Sequence, residues 1–529
     1  MGHLPVLVVL LPAFTGMAML LMGDQGGDPV HGHAKLLWAR RLALASGLMG
    51  LGLAVLAVQQ AASGALAVYR VGDWPAPFGI VLLVDRLGAL MLLLTACVAL
   101  PVLTYASRGW DAHGRHFHAL FQFQLMGLNG AFVTGDLFNL FVFFEVLLIA
   151  SYVLMLHGQG RERLRVGLHY VVLNLAASAL FLIGVSLIYA KTGTLNLVDL
   201  ALRVREVTGP DAALLKAGAL LLLVVFGFKA ALAPLSLWLP ATYAASSAPV
   251  AALFAIMTKV GVYAIVRVHG VVFGAGAGES ALVAEPLLLP MALLTSAVGV
   301  MGALAATTLQ RLVAWLTVAS VGTVMVAVGL YNTAAWSAAL YYLVNSTLVV
   351  AALFLLAELV SAQRGEAGGL LRPASSVAQP TLLGLLMLLA AASAAGLPPL
   401  PGFIGKLMLL EAASPHAWQA AVWTVVLAAG FFTLVGLARA GSILFWHVDE
   451  GEPATAAGAS PKLVAATLAL LALTVGMSIG AAPIQRYTQA AAAQLQDREA
   501  YARAVLEAAD LPPGSTTRPY RFDAPEARP

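Results

Sequence analysis

Residues 134–152 read TGDLFNLFVFFEVLLIASY. From Leu137 onward the stretch is apolar enough to cross a bilayer, yet it holds Glu145 near its middle and Asp136 near its start. A carboxylate facing lipid at mid-depth is unfavourable by several kcal/mol, so it turns to the bundle interior or to water and marks a functional site. Glu145 therefore implies a partner elsewhere in the chain.

The rest of the sequence supports a membrane setting. Of 529 residues, 60% are hydrophobic and 10% charged, with a mean hydropathy of +0.89. Soluble domains are about 25% charged, so this chain has too few charges to cover a globular surface. Apolar runs near 4–22, 41–62, 80–105, 117–135, 137–157, 167–190, 213–233, 242–268, 287–306, 311–331, 337–360, 380–412 with a break, 418–445 and 462–482 predict about 14 membrane helices in an all-α polytopic fold. The first run lacks a basic start and a small-residue cleavage site and is expected to remain as a helix. Between the sixth and seventh runs, NLVDLALRVREV (196–207) predicts a short helix on the membrane surface. Basic residues outnumber those of the other loops by roughly two to one in the loops after odd-numbered runs, which puts those loops in the cytoplasm and both termini outside.

A single cysteine, Cys97, leaves no internal disulfide and no cysteine-based metal site. The net charge of +4 reflects membrane-flanking arginines, with no basic run suited to nucleic acid. GAGAGES (274–280) has neither a preceding strand nor a following GK[ST] and reads as a loop. The histidines show no HExxH spacing, and no dinucleotide, haem or nucleophile motif appears, so neither cofactor nor metal is expected and enzymatic chemistry has no support. Residues 484–509 predict an amphipathic helix, and LPPGSTTRPYRFDAPEARP predicts disorder, so the tail reads as an appendage without chemistry of its own.

Four charged residues lie inside apolar runs: Glu145, Lys229, Lys259 and Lys406. Burial moves carboxylates and ammoniums toward proton exchange near neutral pH, so a line of such groups fits a proton path. Lys229 precedes Pro234, and Lys406 follows Pro398, Pro399 and Pro401. Proline breaks a helix, and broken backbone at membrane depth survives only where it is buried or lines a cavity. Breaks in the seventh and twelfth runs point to two inverted five-helix repeats, helices 4–8 and 9–13. The corresponding segments are 1–112 (helices 1–3), 113–270 (first repeat), 280–445 (second repeat) and 446–529 (helix 14 and tail). Asp136, behind a turn at Gly135, is a candidate N-cap of the fifth helix. Adjacent Asp85 and Arg86 read as a structural pair or an interface anchor.

TGDLFNLFVFFEVLLIASY, FGFKAALAPLSLWLP, TKVGVYAIVRV and LPPLPGFIGKLMLLE resemble the D-type antiporter-like subunits of the Mrp/Pha multisubunit cation/proton antiporters. That family is related to the membrane subunits of respiratory complex I. The resemblance spans most of residues 75–445. It implies 14 helices with broken seventh and twelfth members, a bacterial inner-membrane location, and partner subunits. It also implies exchange of protons for K+ or Na+ in pH homeostasis. Carried over by position, Glu145 pairs with Lys229, Lys259 is the central relay lysine and Lys406 the terminal one. Two positions depart from the family pattern. TYAASSAPV has Ala244 and Ser246 where relatives often have a histidine nearby, and YYLVNSTLVV has Asn345 where a histidine is common. Asn345 orients water but carries no proton, so the path from Lys259 to Lys406 is expected to use water, Ser346 or Thr347. The alternatives are a proton-channel subunit of a complex I-like or hydrogenase-like redox pump, and a scaffold with a degenerate channel.

Overall fold

The computed structural model describes residues 2–23, 32–447 and 458–507. Among them, twelve helices are long and apolar enough to cross a membrane, and Pro380–Ala395 is a shorter apolar helix. In chain order, α1 (Leu4–Leu21), α2 (Gly32–Ala62), α3 (Arg86–Ala106) and α4 (Phe117–Val133) pack together as an N-terminal unit. α5 (Leu137–Leu156), α6 (Arg161–Thr192), the short α7 (Leu197–Arg203), α8 (Gly209–Ala230), α9 (Trp238–Ala245) and α10 (Ala248–Ile265) follow, and α10 runs on as a π-helical segment, Val266–Val272. The second half comprises α11 (Glu285–Leu304), α12 (Leu309–Gly329), α13 (Thr333–Ser361), α14 (Pro380–Ala395), α15 (Pro401–Ala413) and α16 (Gln419–Phe445). α17 (Pro461–Ile479), α18 (Ala481–Gln496) and α19 (Arg498–Ala502) close the described chain.

Three features differ from the sequence expectation. The start of the third apolar run is a strand: β1 (Ala67–Arg70) pairs antiparallel with β2 (Val81–Val84), Ala67 opposite Val84, and α3 begins only at Arg86. β-branched Val81 and Val84 favour an extended chain, and the Asp85 carboxylate stops it by accepting from Gly88 N at 2.8 Å as the N-cap. The eighth run also divides, because Trp238–Ala245 is a separate helix and α10 starts at Ala248. Pro249 has no N–H to bond Ala245 O, so a continuous helix is interrupted there, and Ser246 and Ser247 are extended. The tail up to residue 507 is not an appendage. α18 is amphipathic as expected, but it packs on α13 and α3, with Ala491, Ala492 and Leu495 buried. LPPGSTTRPYRFDAPEARP, expected to be disordered, lies outside the described residues.

Both helix breaks are internally satisfied. After α8 the chain turns at Ala231, whose φ of 59° is left-handed. The freed amides bond inward, Leu232 N to Gly227 O at 2.8 Å and Ala233 N to Thr295 Oγ1 of α11 at 2.8 Å. After α14 the chain turns at Gly396, with a φ of +85°, and Leu397 N returns to Ala392 O at 2.9 Å. A residue other than glycine is strained in that conformation.

Candidate functional site

Glu145 and Lys229 arrive from different helices and meet α6 on successive turns. Ser178 Oγ donates to Glu145 Oε1 at 2.5 Å. Lys229 Nζ donates to Asn174 Oδ1 at 3.0 Å and lies 5.9 Å from the Phe144 ring centroid. Asn174 and Ser178 are four apart and so share a helix face. The direct ion pair expected between Glu145 and Lys229 is therefore replaced by two hydrogen bonds to α6. Glu145 stays within electrostatic range of the ammonium. The sequence reading missed Asn174 and Ser178, although the two polar residues one turn apart in an apolar run were a visible signal.

Lys259 is fully buried in α10, and its polar neighbour is Thr258 Oγ1 at 3.4 Å. The helix is brought against Lys229 by Gly261, where an added Cβ would stand 2.5 Å from Ala230 N and 2.9 Å from Lys229 C. No side chain fits that crossing, so backbone meets backbone and the two lysine-bearing segments touch.

In the second half, Lys406 is half-buried on α15 beside the broken end of α14. Its Nζ donates to Ala395 O at 2.7 Å and reaches Ala394 O at 3.4 Å, so the ammonium occupies the negative end of the α14 dipole. Asn345 Oδ1 accepts from Ser393 Oγ at 2.9 Å, while its buried Nδ2 has no partner among the described residues. Lys406, Asn345, Ser346, Ser320, Thr323 and Tyr342 line one cavity of about 30 Å³, which has room for a water. Thr347 does not line it; its hydroxyl is buried and donates to Leu343 O at 2.7 Å. Of the two hydroxyls expected to bridge toward Lys406, only Ser346 faces the cavity.

Asp136 caps α5, with Asn139 N donating to its Oδ1 at 2.7 Å. Burial pushes its carboxyl above the usual range, against hydrogen bonds from the Asn139 and Phe138 amides. Thr134–Asp136 is an extended segment held on two sides. Gly135 N donates to Val81 O at 2.8 Å, Leu137 N to Leu195 O at 2.8 Å, and Leu197 N to Gly135 O at 2.8 Å. Asp85 does not pair with Arg86. It binds Arg267 at 2.6 Å and accepts from the Tyr501 hydroxyl, whereas the Arg86 guanidinium reaches Ala490 O and Ala62 O. The tail tyrosine thus completes a buried ion pair at the end of the Lys259 helix.

These features define a polytopic helical transporter in which buried lysines stand beside two broken helices. Residues 134–435 match the family described as NADH:quinone oxidoreductase/Mrp antiporter, TM, and the chain belongs to it. It is 40% identical to the D-type subunit of a probable K(+)/H(+) antiporter of Rhizobium meliloti, over 96% of this chain and 98% of that protein. It is 35% identical to the D-type subunit of the Na(+)/H(+) antiporter of Alkalihalophilus pseudofirmus, over 96% of this chain and all of that one. Among solved structures it is similar to a chain of the Mrp complex from Dietzia sp., with a TM-score of 0.82, 26% identity, and 96% and 99% of the two chains covered. A chain of respiratory complex I from Thermus thermophilus, at 24% identity and a TM-score of 0.69, shares the fold over 90% of this chain and 98% of its own.

Proposed function

We infer that this chain is the proton-translocating subunit of a multisubunit antiporter that exchanges protons for K+ or Na+ across the bacterial inner membrane, with both termini on the outer side. Its partners are the other subunits of that complex, and it drives cation efflux and pH homeostasis. The proton moves along Glu145, Lys229, Lys259 and Lys406, with Asp136 at the outer mouth and Asn345 and Ser346 ordering water before Lys406. The observation that supports this reading is the close backbone crossing at Gly261, which packs the helix of the fully buried Lys259 against the helix of Lys229, with no anion among the described residues in direct contact with either ammonium. When Glu145 approaches Lys229 the ammonium is favoured, and when it withdraws to Ser178 the lysine sheds its proton toward Lys259.

Residues 113–270 and 280–445 act as inverted repeats in this reading, and repeated contacts support it. Added Cβ atoms at Gly127 and Gly130 of α4 would collide with Leu147 and Phe143 of α5. Those at Gly299 and Gly302 of α11 would collide with Ala319 and Trp315 of α12. The interval from Gly127 to Gly299 equals that from Gly130 to Gly302, and the N-caps Asp136 and Thr308 keep it too. At the same interval Glu145 is matched by Thr317, whose hydroxyl donates to Val313 O at 3.0 Å, so the second half lacks the acid.

An antiporter is favoured over a redox pump by the relatives of 40% and 35% identity, both named as antiporter subunits. The test is cation-dependent proton flux in vesicles holding the whole complex. Glu145→Ala and Lys229→Ala are each expected to reduce it to background, and unchanged flux with normal assembly would overturn the assignment.

A further inference from the structure

We propose that the N-terminal unit α1–α4 binds an alkali-metal cation among neutral oxygens of Ser46, Thr95, Gln122 and Asn129, on a route separate from the lysines. The proposal rests on the reading of the chain as an antiporter subunit. Along the lysine route three ammoniums accompany one carboxylate, and that excess of positive charge repels a cation at the low dielectric of the interior. A cation carried by this chain needs another way.

α4 presents His118, Gln122 and Asn129 at helical spacing toward α1, α2 and α3. Ser46 Oγ of α2 donates to Gln122 Oε1 at 3.1 Å and lies 3.2 Å from Thr15 Oγ1 of α1. Thr15 and Thr95 each direct a hydroxyl hydrogen to their own helix, to Leu11 O and Met91 O at 2.7 Å, which leaves oxygen lone pairs for another partner. Pro12 has no N–H, and the Val8 carbonyl it leaves open is taken by Asn129 Nδ2 at 2.8 Å, so the Asn129 oxygen is free to accept. Ser46, Thr95, Gln122 and Asn129 line one cavity of about 30 Å³, large enough for a water-sized occupant.

Within this cluster Gln122 is fully buried and its Nε2 has no partner among the described residues. Buried orphans of that kind are rare. A half-turn of the amide keeps its shape, gives the Nε2 hydrogens to Ser46 Oγ, and turns Oε1 into the cavity. The cavity is then lined by neutral oxygen-bearing side chains from three helices, the kind of ligand suited to a large monovalent ion that exchanges its hydration shell for protein oxygens. At the opposite end of the line stands a carboxylate. Asp111 is buried, bound by Arg40 at 2.6 and 2.8 Å and by His118 Nε2 at 2.9 Å, one turn of α4 from Gln122.

The experiment is cation-dependent exchange in vesicles holding the whole complex, with K+ and Na+ titrated separately against Gln122→Leu, Ser46→Ala and Thr95→Val. Expected is a rise of at least about tenfold in the half-saturating cation concentration, with an altered K+/Na+ preference. Unchanged half-saturation and preference in assembled complexes, the result for a cavity holding only water, overturns the proposal. Should Gln122→Leu prevent assembly, the smaller Ser46→Ala and Thr95→Val changes carry the same decision. Lys229→Ala in parallel separates the two readings. Exchange persisting there refutes the antiporter route itself, whereas loss there with an unshifted cation response in the cavity variants refutes only this site.

Discussion

Charged side chains in this protein are each held by a specific neighbour, and the neighbour sets their chemistry. Glu145 rests on Ser178 and Lys229 on Asn174, so acid and base are separated by one turn of α6. The charges were legible from sequence because a charge in hydrocarbon demands a reason. The neutral Asn174 and Ser178, though visible one turn apart in an apolar run, did not by themselves point to a role, since such residues are tolerated in membrane helices for ordinary interhelical bonding. Asp111 shows the same logic outside the membrane spans. Burial alone would raise its carboxyl, but hydrogen bonds and charge from Arg40 and His118 hold it down at about 2. An unfolded aspartate titrates near pH 3.9. The stabilisation is therefore fully present above roughly pH 4 and is lost as the pH falls toward 2. Asp111→Asn is expected to destabilise the purified protein by about 3 kcal/mol at pH 7, because it leaves the Arg40 guanidinium without its counter-charge. Thermal melts from pH 7 downward check this, and a deficit that does not shrink below pH 4 contradicts it.

At the scale of elements, glycines and prolines decide how closely the lysine-bearing helices approach. The breaks were legible because proline has no amide hydrogen, although where each helix resumed was not. Ser246 and Ser247, not the apolar pattern, separate α9 from α10. The β1–β2 ribbon was hidden because a four-residue apolar strand before a helix is indistinguishable by hydropathy from the helix itself. Gly261 was just one glycine among 50 until α8 was seen against it. Gly261→Val must push α10 away from Lys229, an overpacking expected to lower stability by about 3 kcal/mol and to abolish proton flux in assembled complexes. Native-like flux with a native melting temperature would show that the crossing is not needed.

Across the whole molecule, the last described helices reach back to the start of α3 and the end of the Lys259 helix. Gln494 Oε1 accepts from Arg86 N at 2.9 Å, Tyr487 OH donates to Arg86 O at 3.0 Å, and Arg498 donates to Val271 O at 2.6 Å. Tyr501 enters the Asp85–Arg267 pair, so α18 and α19 brace α3 and the π-helical end of the Lys259 helix together. Tyr501→Phe removes one hydrogen bond to a buried carboxylate and is expected to destabilise the protein by about 2 kcal/mol. A melting temperature equal to wild type would show that the tail only lies against the bundle.

The sequence by itself determined the membrane setting, the helical fold class, the two breaks and the four charges inside apolar runs. Each of these follows from hydropathy, proline chemistry or the energy of a charge in hydrocarbon, all local properties of the chain. The tertiary structure decided which groups meet: Asn174 with Lys229, Asn345 with Ser393, Tyr501 with Asp85, and Ser46 with Gln122. Those contacts join residues dozens to hundreds of positions apart. They depend on helix crossings set by shape, and a neutral polar residue gives no sign along the chain of which helix it will face.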